Sequence, residues 1–238
     1  MKCLIVAAGQ GARLREKGEL KPLIPIKGIP LIERVMSRVL EAGIDEFVVV
    51  SGYRGAELRR ALDAFAEREK VRVTHVVNDE WNRANGVSVH KAKAALGGPF
   101  VLTMCDHLVD PEIFRRLTAA PLESDTVTLA VDFNIGNPLH DPEDVTRVKC
   151  TNGRIDHIGK VIRDFNAFDT GVFLCTPVMF AALEESQANG DDSISGAMNV
   201  LARWQKARVF DIGDRLWIDV DDPVAFGKAE SLLHAGRV

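Results

Sequence analysis

The run Cys3-Leu4-Ile5-Val6-Ala7 is apolar at every position rather than at every second one, so both faces of a strand formed there demand burial. A parallel sheet covered by helices on each side supplies that environment. The run empties directly into Ala8-Gly9-Gln10-Gly11-Ala12, a loop of small residues whose backbone N–H groups can approach a triphosphate closely. Arg13 and Lys21 follow in the same segment and add permanent positive charge where amides alone would leave several phosphate charges uncompensated. The stretch reads as a nucleoside triphosphate site; its bland alternative is a tight turn followed by two solvated basic residues.

The rest of the first half alternates in the same style. Pro30 opens an amphipathic helix over Leu31 to Ala42, Phe47 to Val50 is a second buried strand, Ala56 to Glu69 a helix and Val71 to Val77 a third strand. A third helix fits Gly86 to Leu96, and the strand Phe100 to Met104 stops at Cys105-Asp106-His107. Strands and helices alternating over short connections predict an α/β, Rossmann-like domain with a mixed, mostly parallel central sheet flanked by helices. Asp106 is thereby expected on the strand rim that carries the glycine loop. The second half is less regular: a strand Thr126 to Asp132, a loop Phe133 to Asp144, and Val145 to Cys150 paired with Arg154 to Ile158 across Asn152-Gly153. That hairpin is expected to stand beside the sheet as a small lid or acceptor subsite. Further strands fit Phe168 to Leu174, Arg208 to Ile212 and Leu216 to Val220, and helices fit Pro177 to Gln187, Ser193 to Trp204 and Pro223 to about His234. No repeat or linker interrupts residues 1–238, so one domain is expected.

Composition narrows the ligand. A net charge of -4 with scattered Lys and Arg argues against a nucleic-acid or anionic-membrane surface, so the partners are expected to be small molecules. No apolar run approaches a membrane span, and no signal peptide precedes the first strand. Cys3, Cys105, Cys150 and Cys175 form no C-x-x-C pair and sit in or beside strands, as buried reduced thiols of a cytoplasmic protein would.

Asp106 and Asp219 end strands far apart in sequence, and two carboxylates on one rim make a hard oxygen site suited to Mg²⁺, with Asp221 in reserve. With a glycine loop and two cations, the set matches displacement at phosphorus, where catalysis is positioning and charge neutralisation. A phosphomonoester nucleophile is already anionic near neutrality, so the lack of a Ser-His-Asp or Cys-His set fits this chemistry. Alternatively Asp219, Asp221 and Asp222 merely cap the last helix. A dinucleotide-dependent oxidoreductase fails because Leu14 replaces the third glycine and Val50-Ser51-Gly52-Tyr53 lacks the ribose-binding acid. A nucleotide sensor without turnover is the rival from another class.

Ala7-Ala8-Gly9-x-Gly11-x-Arg13-Leu14 and Lys21-Pro22-Leu23 resemble the signature of nucleoside triphosphate transferases that activate sugars and alcohols. Asn85-Gly86-x-Ser88, Asp106-His107-x-x-x-Pro111-Glu112, Ile158-Gly159-Lys160 and Phe168-Asp169-Thr170-Gly171-Val172-Phe173 resemble the narrower branch of CTP:inositol-1-phosphate cytidylyltransferases. The resemblance implies a Mg²⁺-dependent enzyme that joins CTP to inositol 1-phosphate, giving CDP-inositol and pyrophosphate; phosphocholine and sugar 1-phosphates are the alternative acceptors. It implies that Arg13 and Lys21 hold the triphosphate, that Asp106 and Asp219 carry Mg²⁺, and that Ala7, Ala8, Gly9, Gly11, Asn78, Asn85, Gly86 and Ser88 meet the nucleotide. Lys160 would bind the acceptor phosphate and Asp169 or Thr170 its hydroxyls. Such enzymes occur alone or ahead of a membrane-embedded phosphotransferase that takes their product. Two departures stand out: Gly159 where sugar nucleotidyltransferases carry an acid, and Arg147 where this branch would carry lysine. His107 is either a partner of Asp106 or an ordinary surface or core histidine.

Overall fold

The computed structural model describes residues 1–236. The chain runs β1 (Lys2–Ala7), β2 (Pro25–Ile26), β3 (Ile29–Pro30), α1 (Leu31–Glu41), β4 (Glu46–Ser51), α2 (Gly55–Glu69), β5 (Arg72–Val77), α3 (Asn85–Lys91), β6 (Phe100–Met104), β7 (His107–Val109), α4 (Pro111–Ala119), β8 (Val127–Asp132), β9 (Arg147–Thr151), β10 (Arg154–Gly159), β11 (Ala167–Cys175), α5 (Val178–Ala188), α6 (Ile194–Arg203), β12 (Ala207–Asp211), β13 (Trp217–Asp219) and α7 (Pro223–His234). A nine-stranded sheet in the order β5-β4-β1-β6-β11-β8-β12-β10-β9 forms the centre. Only β10 and β11 run against the other strands, so the sheet is mixed and mostly parallel as expected.

The continuous apolar run of β1 is explained by its place. Cys3, Ile5 and Ala7 point into one core with residues of α1, α2, α4 and α7, while Leu4, Val6 and Ala8 point into the opposite core with α3, α5 and α6. All four cysteines are buried and unpaired. Among the described residues no helix is long and apolar enough to cross a membrane.

The helix α4 and the short strands β2, β3 and β7 are elements the sequence did not announce, and three of the expected elements differ in detail. The third helix ends at Lys91 and continues only as a 3₁₀ turn over Lys93–Ala95. The last strand, β13, lies outside the main sheet and pairs with β7 in a separate two-stranded ribbon. The hairpin β9–β10 turns at Asn152 and Gly153, with φ of 52° and 75°, as its sequence predicts, but it is no free-standing lid. It is hydrogen-bonded into the sheet: β10 meets β12, and β9 reaches round to β11, closing a ring of β11, β8, β12, β10 and β9. Burial explains the difference, because Val148, Cys150, Ile155 and Ile158 all pack into the core, and Asn199 of α6 bonds both the amide and the carbonyl of Ile158.

Candidate active site

The chain leaves β1 toward β4 and β5 on one side and returns with β6 on the other, so the carboxyl ends of β1 and β6 bound the crevice such a reversal opens. A cavity of about 770 Å³ lies there. Beyond β1 the chain turns through Gly11, whose φ of 63° suits glycine, and a Cβ at this position would sit 2.3 Å from the Lys21 Cβ. Gly11 is therefore the residue that lets Lys21 lie against the loop, whereas a Cβ at Gly9 would meet nothing within 4 Å.

Lys21 is buried and donates to the Oδ2 of Asp106 at 2.5 Å. Burial works against its ammonium, yet Asp106 and Asp219 outweigh that and hold the amine charged above its ordinary range. Asp106 lies in the turn after β6, and its carbonyl accepts the amide of Val220 at 2.9 Å, which brings the end of β13 alongside. Asp219 stands opposite His107 in the β13–β7 register. The His107 Nδ1 donates to the Thr170 carbonyl at 2.7 Å, and its Nε2 lies 3.4 Å from Asp219 Oδ2 and 3.8 Å from Asp106 Oδ1. Both ring nitrogens face acceptors, the arrangement that suits an imidazolium: burial opposes its charge, but Asp219 and Asp106 prevail and raise its pKa. Oxygens of Asp106 and Asp219 and a nitrogen of His107 lie within 4.8 Å of one another, and Asp219 Oδ1 is buried without a hydrogen-bond partner. An orphaned, buried carboxylate oxygen beside a second carboxylate is the donor set a hard divalent cation requires. The capping alternative holds for Asp222 alone, which accepts the Ala225 amide at the start of α7.

Across the cavity, Asp144 takes Arg13 on one oxygen and Lys160 on the other, the latter at 2.7 Å, and Asp221 also pairs with Arg13. Asp169 accepts the Gly171 amide at 2.7 Å; burial is the main cause that pushes its pKa up to about 6. Gly171, at φ 74°, is a required glycine, since a Cβ there would lie 2.2 Å from His107 Nδ1.

Ala7, Ala8, Gly9, Gly11, Arg13, Lys21, Asn85, Asp106, Lys160, Asp169 and Asp219 thus line one cavity. Asn78, Gly86, Ser88 and Thr170 do not. The Asn78 amide donates to the Ser88 hydroxyl at 2.9 Å and both are buried, Thr170 gives its hydroxyl to Ala130, and a Cβ on Gly86 would strike the Asp192 carbonyl at 2.4 Å. These four hold the wall together from behind. Asn85 faces the cavity but also accepts the Ile194 amide at 3.0 Å, tying α3 to α6. Arg147 is spent on the carbonyls of Pro142 and Ile162, a three-donor staple that lysine cannot reproduce. Sequence reasoning passed over Asp144, His140, Trp217 and Lys228, which also line the cavity. Loop carboxylates and a lone histidine carry no periodic signal, so only the fold reveals them.

Residues 3–157 match the family model described as the MobA-like NTP transferase domain. The chain belongs to that family. It is similar to a bifunctional IPC transferase and DIPP synthase of Rubrobacter xylanophilus, 36% identical over 234 residues covering 96% of this chain and 51% of the relative. A protein of the same description from Thermococcus kodakarensis is 30% identical, covering 98% of this chain and 50% of its own. The chain therefore spans about half the length of these curated relatives. Among solved structures, that of the inositol-1-phosphate CTP transferase from T. maritima superposes with a TM-score of 0.84 at 27% identity, over 98% of this chain and 94% of the other. Within the MobA-like NTP transferases this chain is a nucleotidyltransferase.

Proposed function

We propose that the chain is a Mg²⁺-dependent cytidylyltransferase that joins CTP and inositol 1-phosphate to give CDP-inositol and pyrophosphate. The observation that carries this reading is the convergence of Arg13 and Lys160 on the two oxygens of one carboxylate, Asp144. Two cations that can share a single carboxylate can each hold a phosphate of a different substrate with the reacting atoms in contact distance. The likeness to the inositol-1-phosphate CTP transferase from T. maritima supports the choice of CTP and inositol 1-phosphate, and the likeness to the Rubrobacter and Thermococcus IPC transferases supports a transferase.

An oxygen of the acceptor's phosphate dianion forms the new bond to the α-phosphorus as the bond from that phosphorus to the bridging oxygen breaks, and pyrophosphate leaves with that electron pair. No general base is needed, because a phosphomonoester has lost its second proton near pH 7. Arg13 and Lys21 take up the charge that develops on the leaving group, Lys160 holds the acceptor phosphate, and Asp169 accepts from its hydroxyls. Asp106 and Asp219 would hold Mg²⁺, which would supply neutralisation of the phosphate charge beside them.

Pyrophosphate release measured with the four NTPs against inositol 1-phosphate, phosphocholine and glucose 1-phosphate tests the proposal. Release with CTP and inositol 1-phosphate alone is expected; another productive pair would keep the chemistry and retire these substrates. Lys160→Ala is expected to raise the acceptor KM by about 10- to 100-fold while the CTP KM stays within about twofold, the loss appropriate to one charged contact. Equal changes in both constants would place Lys160 elsewhere. Because the Asp169 carboxyl titrates near 6, lowering pH below that point protonates the group that accepts acceptor hydroxyls. This protonation should lower the acceptor kcat/KM by up to about tenfold per pH unit, on top of the loss of the acceptor's phosphate dianion. In Asp169→Asn the acid limb should shrink to that of the acceptor phosphate, whose second proton also returns at about pH 6. A limb unchanged from wild type would assign the protein's share to another group, such as Asp221, whose pKa burial and Asp219 also push up to about 6.

A further inference from the structure

Asp132, the last residue of β8, is 2% exposed, and no lysine or arginine pairs with it among the described residues. Leaving water costs a carboxylate several kcal/mol, so a group kept there must be well satisfied. Its Oδ1 accepts the Asn134 amide at 2.8 Å; its Oδ2 accepts the Trp217 indole Nε1–H at 3.0 Å and, more weakly, the Asn137 side chain at 3.4 Å. The His140 Nε2 stands 3.8 Å from Oδ2. One buried carboxylate thus holds the loop that follows β8, through Asn134 and Asn137, and the strand β13, through Trp217.

Each of those elements ends in the cavity. Trp217 and Asp219 are two residues apart on β13, so their side chains leave the same face of the strand. The Trp217 ring stacks on His140 at 3.9 Å between centroids with planes 19° apart, and on His107 at 6.1 Å and 25°. His107 contacts Asp219 and Asp106, whereas the chain beyond His140 carries Asp144, on which Arg13 and Lys160 converge.

We propose that Asp132 is a positioning residue: through the Trp217 indole N–H and the His107–Trp217–His140 stack, it fixes the loop bearing Asp144 relative to the strand bearing Asp219. The assignment rests on the function proposed above. A carboxylate is suited to this task because both of its oxygens accept. An amide in its place has one oxygen, and its NH₂ would meet either the Asn134 amide or the indole N–H, donor against donor.

The test is a double-mutant cycle of Asp132→Asn, Trp217→Phe and the pair, the phenylalanine keeping an aromatic ring while removing the N–H. Each single change is expected to lower kcat by about 30-fold with both KM values within about twofold, because Arg13 on the triphosphate and Lys160 on the acceptor both lean on Asp144. The double variant should be no worse than Asp132→Asn, because both remove one link. Losses that multiply, a loss carried by KM with kcat unchanged, or steady-state constants of wild type in variants of lowered Tm would overturn the proposal. Amide exchange, read without any substrate, decides it separately from the reaction. In both single variants residues 133–145 and 217–219 should exchange faster together, by about tenfold, and faster exchange confined to 217–219 would overturn the proposal even if CTP and inositol 1-phosphate proved to be the wrong substrates.

Discussion

Asp219→Asn is expected to lower turnover by about 10³-fold or more, roughly 4 kcal/mol of transition-state stabilisation, while the protein stays folded. The amide keeps the size of the side chain but removes a charge that stands 3.4 Å from the His107 ring and acts on Lys21 and Arg13 as well. It also removes the buried Oδ1 that finds no partner within the protein. Far-UV circular dichroism should match wild type, and titration with Mg²⁺ should fail to restore the rate. Turnover within tenfold of wild type at saturating Mg²⁺ would take Asp219 out of the metal site and leave its carboxylate as the counter-ion of His107.

Gly11→Ala should cost about 10²-fold in kcat/KM for the nucleotide and about 2 kcal/mol of stability, through two effects on one atom. A left-handed backbone costs a residue with a side chain roughly 1–2 kcal/mol. The new methyl would also lie 2.3 Å from the Lys21 Cβ, and so would push away the backbone that aims the ammonium at Asp106. Gly9→Ala is the matched comparison, because its Cβ would meet nothing within 4 Å and the fold should tolerate it. Equal Tm losses in the two variants would show that the loop relaxes freely and that Gly11 does not set the position of Lys21.

Much of this molecule is legible in the sequence, for a local reason. The unbroken apolar run of β1, the helical spacing of α1 and the Asn152-Gly153 turn each state their geometry within a few residues, and each element appears where its pattern places it. The site is legible where it belongs to such an element. Gly11, Lys21 and Asp106 follow directly on strands or turns whose ends the pattern marks, and the rule that ligands gather at the carboxyl ends of strands brings them to one rim. The Asn85–Ser88 stretch shows the limit of that reasoning. Its polar residues are in the right neighbourhood, but the helical turn that carries them aims Ser88 back at Asn78, leaving Asn85 alone on the cavity side.

The sequence by itself determined the sheet class, the glycine turn and the strand-end acids, because periodicity and turn chemistry act over neighbouring residues. Tertiary structure alone decided that β13 leaves the main sheet to pair with β7, that the β9–β10 hairpin closes a ring instead of a lid, and that Asp144 meets Arg13 across 131 residues of chain. Those outcomes depend on which distant surfaces bury one another and on which buried charges must find partners. No short stretch of residues encodes either condition.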